Sequence, residues 1–295
     1  MKPAPFEYHR PETVAEATDL LADLPEAELM AGNQSLGIVM ANRLATPDHI
    51  VDINGIDEIQ YVDADGEAVE VGALVRHRDL AASDVLAARL PMLPEAADQI
   101  AGPVVRNRGT LGGSIGEADP AGNYPCVLVT LGGELELAAA SGRRSVDAAD
   151  YFVAYMTTAI EADELVTNVR FPTEPYPPER TGMAFLEQKP DAQTWPTLSV
   201  AAAVRVDDPD AAAPVVERAR VGLANAADVP LRAPDAEREV EGEPVSEGVL
   251  DAAGEVAYDA VEPQPELHAD VTYKRELARE YTKRALRTAY ERATT

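Results

Sequence analysis

The chain has 295 residues, enough for two domains with a substantial core, and its 46% apolar content excludes global disorder. Its 52 acidic and 25 basic residues leave a net charge of −27, which repels phosphate backbones and anionic headgroups and so argues against nucleic-acid and membrane partners. Only four of the basic residues are lysines (Lys2, Lys189, Lys274 and Lys283), and acid excess with scarce lysine points to a protein adapted to high salt, where screening blunts self-repulsion.

Phe6-Glu7-Tyr8-His9-Arg10-Pro11 reads as a short edge strand that Pro11 stops. Thr13 then caps a helix whose apolar positions Val14, Ala17, Leu20, Leu21 and Leu24 follow the helical period. Glu28 to Met30 form a strand leading into the loop Ala31-Gly32-Asn33-Gln34-Ser35. Leu36, Val39, Met40 and Leu44 predict an amphipathic helix closed by Pro47, and Ile50 to Ile53 the next strand. This order implies a small α/β subdomain over about residues 1–56.

From Ile59 the pattern turns extended. Tyr61-Val62 and Ala68 to Val71 flank Asp63-Ala64-Asp65-Gly66, whose Asp-Gly step favours a hairpin. A helical region from about Asp79 to Ile100 precedes a second glycine loop, Thr110-Leu111-Gly112-Gly113-Ser114. Asp119-Pro120 joins an N-cap residue to a first-turn proline, predicting a helix start there. Strands over Glu134–Ala138 and Leu165–Phe171 complete a second subdomain, about 57–175.

Pro172 to Pro178 reads as a stiff linker. Beyond it, Leu198–Val206 and Val216–Leu223 resemble antiparallel strands, residues 227–248 are acidic and proline-broken, and Asp270 caps a last helix. Tyr273, Leu277, Tyr281, Leu286 and Tyr290 are expected near one face of that helix. Residues 176–295 therefore form a small α+β unit, a sheet with helices on one side.

Glycine lets backbone approach an anion closely, and a hydroxyl residue at a loop exit adds a donor beside free helix amides. One such loop is an ordinary turn. Two, a third of the chain apart, suit the two phosphates of a dinucleotide gripped from opposite sides.

Four segments resemble the flavin-binding subunit of the molybdenum hydroxylases, a family that includes carbon monoxide dehydrogenase medium subunits and xanthine-dehydrogenase-like flavoproteins. They are Tyr8-His9-Arg10-Pro11, Ala31 to Leu36 continuing to Val51-Asp52-Ile53, Val105 to Pro120, and Tyr273-Lys274-Arg275 through Ala285. The resemblance implies an α+β fold: a two-subdomain FAD-binding domain of the PCMH type over residues 1–175, then the C-terminal domain. It also implies that Ala31, Gly32, Asn33, Gln34, Ser35 and Leu36 on one side, and Thr110, Gly112, Gly113 and Ser114 on the other, clasp the FAD diphosphate. Asp119 and Asn123 fall within or beside the second motif, Asn123 where an aspartate commonly faces the ribityl chain. Trp195 falls where the family puts an aromatic residue against the flavin ring, and Val166 matches a position whose neighbour packs near the ring. Asn33 replaces a usual glycine, and asparagine tolerates left-handed backbone. Gln34 offers no nucleophile, so the FAD is expected to be non-covalent.

Plainer roles stand beside these. Trp195 suits a core or interface position equally, Lys189 suits a solvated surface better than a flavin contact, and Asp119 suits a cap better than a catalytic acid. His9, His49, His77 and His268 are scattered without metal-ligand spacing, so no metal site is expected, and Glu237 to Glu243 reads as a solvated acidic face. Cys126 sits in an apolar run and reads as a core residue.

What the resemblance implies about function is electron transfer. A molybdenum-pterin large subunit oxidises substrate, a small 2Fe-2S subunit relays electrons, and this chain's FAD passes them to an external acceptor. One cysteine agrees, because iron–sulfur clusters need several thiolates and must sit on another chain. A self-contained FAD oxidase or dehydrogenase and a non-redox nucleotide-binding module remain alternatives. No stretch approaches the roughly 20 apolar residues of a membrane helix, and a cytoplasmic location is expected.

Overall fold

A computed structural model describes residues 2–64 and 66–295, so Asp65 of the expected hairpin turn lies outside the described residues. The chain begins with β1 (Glu7–His9), α1 (Val14–Asp23), β2 (Ala27–Met30), α2 (Leu36–Ala41) and β3 (His49–Asp52). The strands pair in parallel in the order β1-β3-β2, with β1 at the edge as expected. Thr13 caps α1 by accepting from the Glu16 amide at 3.1 Å. Helix α2 is shorter than its apolar pattern predicts. It ends at Asn42, Arg43 takes a left-handed φ of 58°, and Leu44 is left exposed.

Next come β4 (Val62–Ala64), β5 (Ala68–Gly72), α3 (His77–Ala81), α4 (Asp84–Arg89), α5 (Met92–Asp98), α6 (Pro103–Arg106), α7 (Leu111–Glu117) and α8 (Asn123–Leu131). The expected single helical region is thus several short helices. Pro91, heading α5, is one break: a proline lacks the N–H a continuous helix needs. Then follow β6 (Glu134–Ala139), β7 (Gly142–Asp147), α9 (Ala148–Tyr151), the hairpin β8 (Phe152–Ala154) and β9 (Thr157–Thr158), and β10 (Leu165–Pro172). An antiparallel sheet runs β4-β5-β10-β6-β7, with a bulge between Val166 and Asn168 in β10.

The proline-rich stretch after β10 is anchored. Tyr176 is buried and its hydroxyl donates to the Leu131 carbonyl at 3.2 Å, while Thr173 donates to the Gly66 carbonyl at 2.9 Å. A second antiparallel sheet, β11-β12-β13-β14, follows: β11 (Thr181–Gln188), β12 (Leu198–Val206), β13 (Val216–Ala224) and β14 (Leu231–Arg232). Helices α10 (Pro234–Val240), α11 (Glu247–Ala260) and α12 (Val271–Ala293) finish the chain. Asp270 caps α12, accepting from the Tyr273 amide at 2.7 Å, but Tyr273 itself is exposed while Leu277 and Leu286 are buried. This sheet packs on α12 and also on α5 and α8. Both its faces are therefore covered, which is why β12 reads Leu198-Ser199-Val200-Ala201-Ala202-Ala203-Val204 with every residue buried.

The expected solvated acidic face, Glu237 to Glu243, is corrected at its first residue. Glu237 is buried, and its carboxylate accepts from Arg232 at 2.9 and 2.6 Å and from the Val221 amide at 3.0 Å. Burial of this charge is tolerated because both oxygens are paired. Cys126 is buried in α8 as expected, where the apolar surroundings push its thiol up to about 12.

Candidate functional site

The two glycine loops touch. A Cβ added to Gly32 would lie 2.4 Å from the Arg108 carbonyl oxygen and 2.6 Å from the Gly109 Cα, so only glycine allows this approach. A Cβ on Gly113 would come within 3.9 Å of the Ala31 Cβ. Asn33 adopts the left-handed φ of 56° that its glycine-like position requires, and the Gln34 side chain donates to the Gly32 carbonyl at 2.7 Å. Among the described residues, the backbone N–H groups of Asn33, Gln34, Ser35 and Leu36 donate to no protein acceptor. Such a row of free amides in a left-handed-to-right-handed turn is an anion-binding concavity.

Across from it, α7 opens at Thr110, which caps the helix by accepting from the Gly113 amide at 3.1 Å. The two glycines of this motif differ in role. Gly112 is wedged in packing, since a Cβ there would meet the Ala73 Cβ at 2.6 Å, and its amide donates to the Ala73 carbonyl at 2.8 Å. Gly113 and Gly116 are exposed and form a bare ledge on α7; Ser114 lies between them, half-buried. Ser35 sits beside Glu117, whose pKa burial raises, with the Ser35 hydroxyl offsetting this in part.

A polar clamp unpredicted from sequence joins the loops from below. Asn54 donates to the Ala31 carbonyl at 2.6 Å and accepts from Arg76 at 2.6 Å, while the other Arg76 nitrogen donates to the Arg108 carbonyl. Asp52 holds Asn54 through its amide at 2.9 Å and side chain at 2.6 Å, and accepts from the Tyr8 hydroxyl. Burial works against the Asp52 carboxylate, but these hydrogen bonds outweigh it and lower its pKa. Beneath the second loop lies His77, buried, with its ring beside Gly109 and Nδ1 3.0 Å from the Tyr124 hydroxyl. Burial, reinforced by Arg76 and Arg106, pushes the His77 pKa down to about 4, so the ring is neutral.

Arg76 is itself lowered by burial and by the neighbouring charge of Arg108. Arg76 and Arg108, close enough for one charge to act on the other, put positive charge near the row of free amides in a strongly acidic chain. Loop contact, unpaired amides, a bare glycine ledge and this cationic pair together fit a diphosphate.

At the outer end, α8 and β11 meet. Asn123 is buried and donates to the Ala96 carbonyl at 2.9 Å and to Glu187 at 3.4 Å. Lys189 pairs with Glu187 and donates to the Gln99 carbonyl at 2.5 Å, so it is not the solvated lysine expected. Burial raises the Glu187 pKa and Lys189 opposes the rise. Trp195 is 53% exposed on the loop between β11 and β12, which excludes the core alternative. Val166 is buried on β10 next to the bulge, and Thr167 there accepts from the Ala73 amide at 2.9 Å. Asp119 corrects the expected cap: it accepts from the Ala121 amide at 2.8 Å in a local turn, and α8 starts only at Asn123 after Gly122. Its pKa is raised by burial, with Glu266 adding to the rise.

Residues 4–174 match the family described as the FAD binding domain in molybdopterin dehydrogenase, and residues 184–289 match the CO dehydrogenase flavoprotein C-terminal domain. The chain belongs to this molybdopterin dehydrogenase flavoprotein family. It is 35% identical to the carbon monoxide dehydrogenase medium chain of Hydrogenophaga pseudoflava over 99% of both chains. It is 28% identical to the xanthine dehydrogenase FAD-binding subunit of Escherichia coli O157:H7 over 95% of this chain and 94% of that one. Among solved structures, carbon monoxide dehydrogenase from Hydrogenophaga pseudoflava superposes with a TM-score of 0.93 at 36% identity, covering 99% of both chains. Quinoline 2-oxidoreductase from Pseudomonas putida 86 gives the same TM-score, 0.93, at 29% identity over the whole of both chains.

For this flavoprotein the residues missed from sequence are Asn54, Arg76 and His77. A signal existed for the first: Asp52-Ile53-Asn54-Gly55 is a polar turn directly after a strand. Nothing local marks Arg76, whose partners lie 22 and 32 positions away.

Proposed function

We propose that this chain is the FAD-carrying, electron-transferring subunit of a heteromeric molybdenum hydroxylase. The observation that carries the proposal is the contact of Gly32 with Arg108 and Gly109, which sets unpaired amides of one loop beside the glycine ledge of the other. In this reading residues 1–175 form the flavin domain, in subdomains of about 1–56 and 57–175, and residues 176–295 the C-terminal domain. Ala31 to Leu36 bind one side of the diphosphate through backbone amides. Thr110, Gly112, Gly113 and Ser114 shape the other, Thr110 by holding the first turn of α7 and Gly112 by seating it on Ala73. Arg76 and Arg108 supply positive charge. Asn123, Glu187 and Lys189 brace the contact between the flavin domain and the sheet behind it, and Asp119 holds the turn between them. Trp195 and Val166 face the ring end, Trp195 as an exposed aromatic surface available for stacking.

The flavin supplies conversion between paired and single electrons, and the protein's task is to bind and orient it. Gln34 offers an amide and no nucleophile for covalent attachment, and its side chain is turned back on Gly32. Electrons arrive from 2Fe-2S clusters of a small subunit, downstream of a molybdenum-binding large subunit, because a chain with one buried cysteine cannot hold such clusters. A net charge of −27 with four lysines supports work in high salt, and a cytoplasmic location completes the proposal. Among the described residues, no helix is long and apolar enough to cross a membrane.

The test is reconstitution followed by capture. Recombinant chain should bind FAD and release it on acid precipitation, and tagged chain recovered from its native source in high salt should bring down molybdenum and iron. Absence of flavin binding, or turnover of an organic substrate by the isolated chain, overturns the assignment.

A further inference from the structure

The scattered histidines are not all apart. In the parallel pairing of β1 with β3, Glu7 lies opposite His49, and His9, two residues along, shares its face with Glu7. His9 leans toward His49, so that His9 Nε2 and His49 Nδ1 stand 3.2 Å apart, and a Glu7 carboxylate oxygen lies 3.6 Å from His49 Nδ1. All three ligand atoms fall within 4.8 Å of one another.

We propose that Glu7, His9 and His49 form a binding site for a divalent transition-metal ion of the zinc class. Metal–nitrogen bonds of about 2.0–2.1 Å in a tetrahedron put neighbouring ligand atoms roughly 3.3 Å apart, close to both separations seen. Imidazole with carboxylate is a donor set suited to zinc, cobalt and nickel. At 3.2 Å the facing nitrogens are within hydrogen-bond distance, and such a contact needs a proton on one of them and a lone pair on the other. When an ion binds, that proton moves to the remote nitrogen of its own ring, and both facing lone pairs are free to coordinate. Glu7 is exposed and its carboxylate reaches in from solvent, leaving the remaining coordination position to water. The cation nearby points elsewhere: Arg10 packs over Gly55, and Tyr8 bonds Asp52, on the opposite face of β1. The ion would fasten the edge strand β1 to the centre of its sheet. The site is separate from the two glycine loops and does not rest on the flavin assignment.

Cobalt(II) titration of the full chain in high salt tests this. One ion per chain with the visible bands of a four- or five-coordinate nitrogen–oxygen site is expected. His9→Asn or His49→Asn should weaken binding at least about tenfold, and Glu7→Gln less. A wild-type readout avoids any folding defect in the variants: zinc should protect His9 and His49, but not exposed His268, from diethyl pyrocarbonate. Bands that persist in the His9→Asn/His49→Asn double variant, or equal modification of His9, His49 and His268 with and without zinc, overturn the proposal.

Discussion

Arg76 donates to Asn54 at 2.6 Å, and through that one contact a side chain fixed on Ala31 is joined to one fixed on Arg108. The loops sit 77 positions apart in sequence when measured from Ala31 to Arg108, yet this clamp holds them at contact distance. Flavin affinity should therefore depend on residues that need not touch the flavin. Arg76→Met removes a charge-assisted bond and leaves Asn54 short of a partner, a loss of roughly 1–3 kcal/mol in the holding of the loops. The expected outcome is FAD affinity weakened by about tenfold or more in a fluorescence titration, with secondary structure unchanged. Undiminished affinity would show that the loops hold their spacing without the clamp.

Adjacent glycines should fail in different ways. Gly112→Ala drives a methyl against Ala73 and is expected to lower stability by about 1–3 kcal/mol, read as a shift in urea midpoint. Gly113→Val brings a Cβ to 2.8 Å from the Thr110 hydroxyl that caps α7 and adds bulk on the exposed ledge, so it should abolish FAD retention while lowering stability by no more than a lost cap, about 1 kcal/mol. Normal flavin content in Gly113→Val would assign the second loop another role.

His77 makes stability depend on pH. Its folded pKa of about 4 lies below the unfolded value near 6.5, so the unfolded chain takes up the proton first as pH falls. The stability contributed by neutral His77 is fully present above pH 6.5 and is lost between there and pH 4. Between pH 7 and pH 5 the loss is about 2 kcal/mol. His77→Gln should flatten this part of the profile relative to the parent chain in matched urea titrations. An identical slope in both proteins would place the acid sensitivity elsewhere.

Glu237 should behave as a buried partner to Arg232 and not as one surface acid among many. Glu237→Ala leaves Arg232 and the buried Val221 amide without their acceptor, while Arg220 keeps the Ala219 carbonyl, and is expected to cost about 1–3 kcal/mol, whereas Glu239→Ala on the exposed side of the same helix should change little. Thermal unfolding of the two variants side by side checks it.

Trp195 is exposed, so Trp195→Ala should leave the melting temperature almost unchanged. If the indole covers the flavin, the same variant alters the visible flavin spectrum and the rate of reduction by an artificial donor. An unchanged spectrum and rate would make Trp195 a surface for a partner subunit.

Much of the architecture was legible before any coordinates. Thr13 and Asp270 cap helices because a hydroxyl or carboxylate can reach an amide three residues on. Asn33 could be read as left-handed because asparagine tolerates that backbone. Limits appeared where two local rules competed: Asp119 carries a cap signature, but its oxygen closes a turn two residues on and α8 waits for Asn123. In β11 and the acidic stretch 227–248, which holds β14 and α10, tertiary packing chose the element.

By itself the sequence determined the strand and helix order of the first subdomain, the two glycine loops, the core position of Cys126 and the net charge. These follow from neighbours along the chain, within the few residues a cap, a turn or a helical period spans. Only the tertiary structure decided that Asn54 and Arg76 would clamp those loops, that Glu237 would be buried against Arg232 and Lys189 half-buried against Glu187, and that His9 would face His49. Each of those outcomes depends on side chains brought together by the path of the backbone, and a polar residue has the same local sequence signature whether its partner is water or a distant side chain.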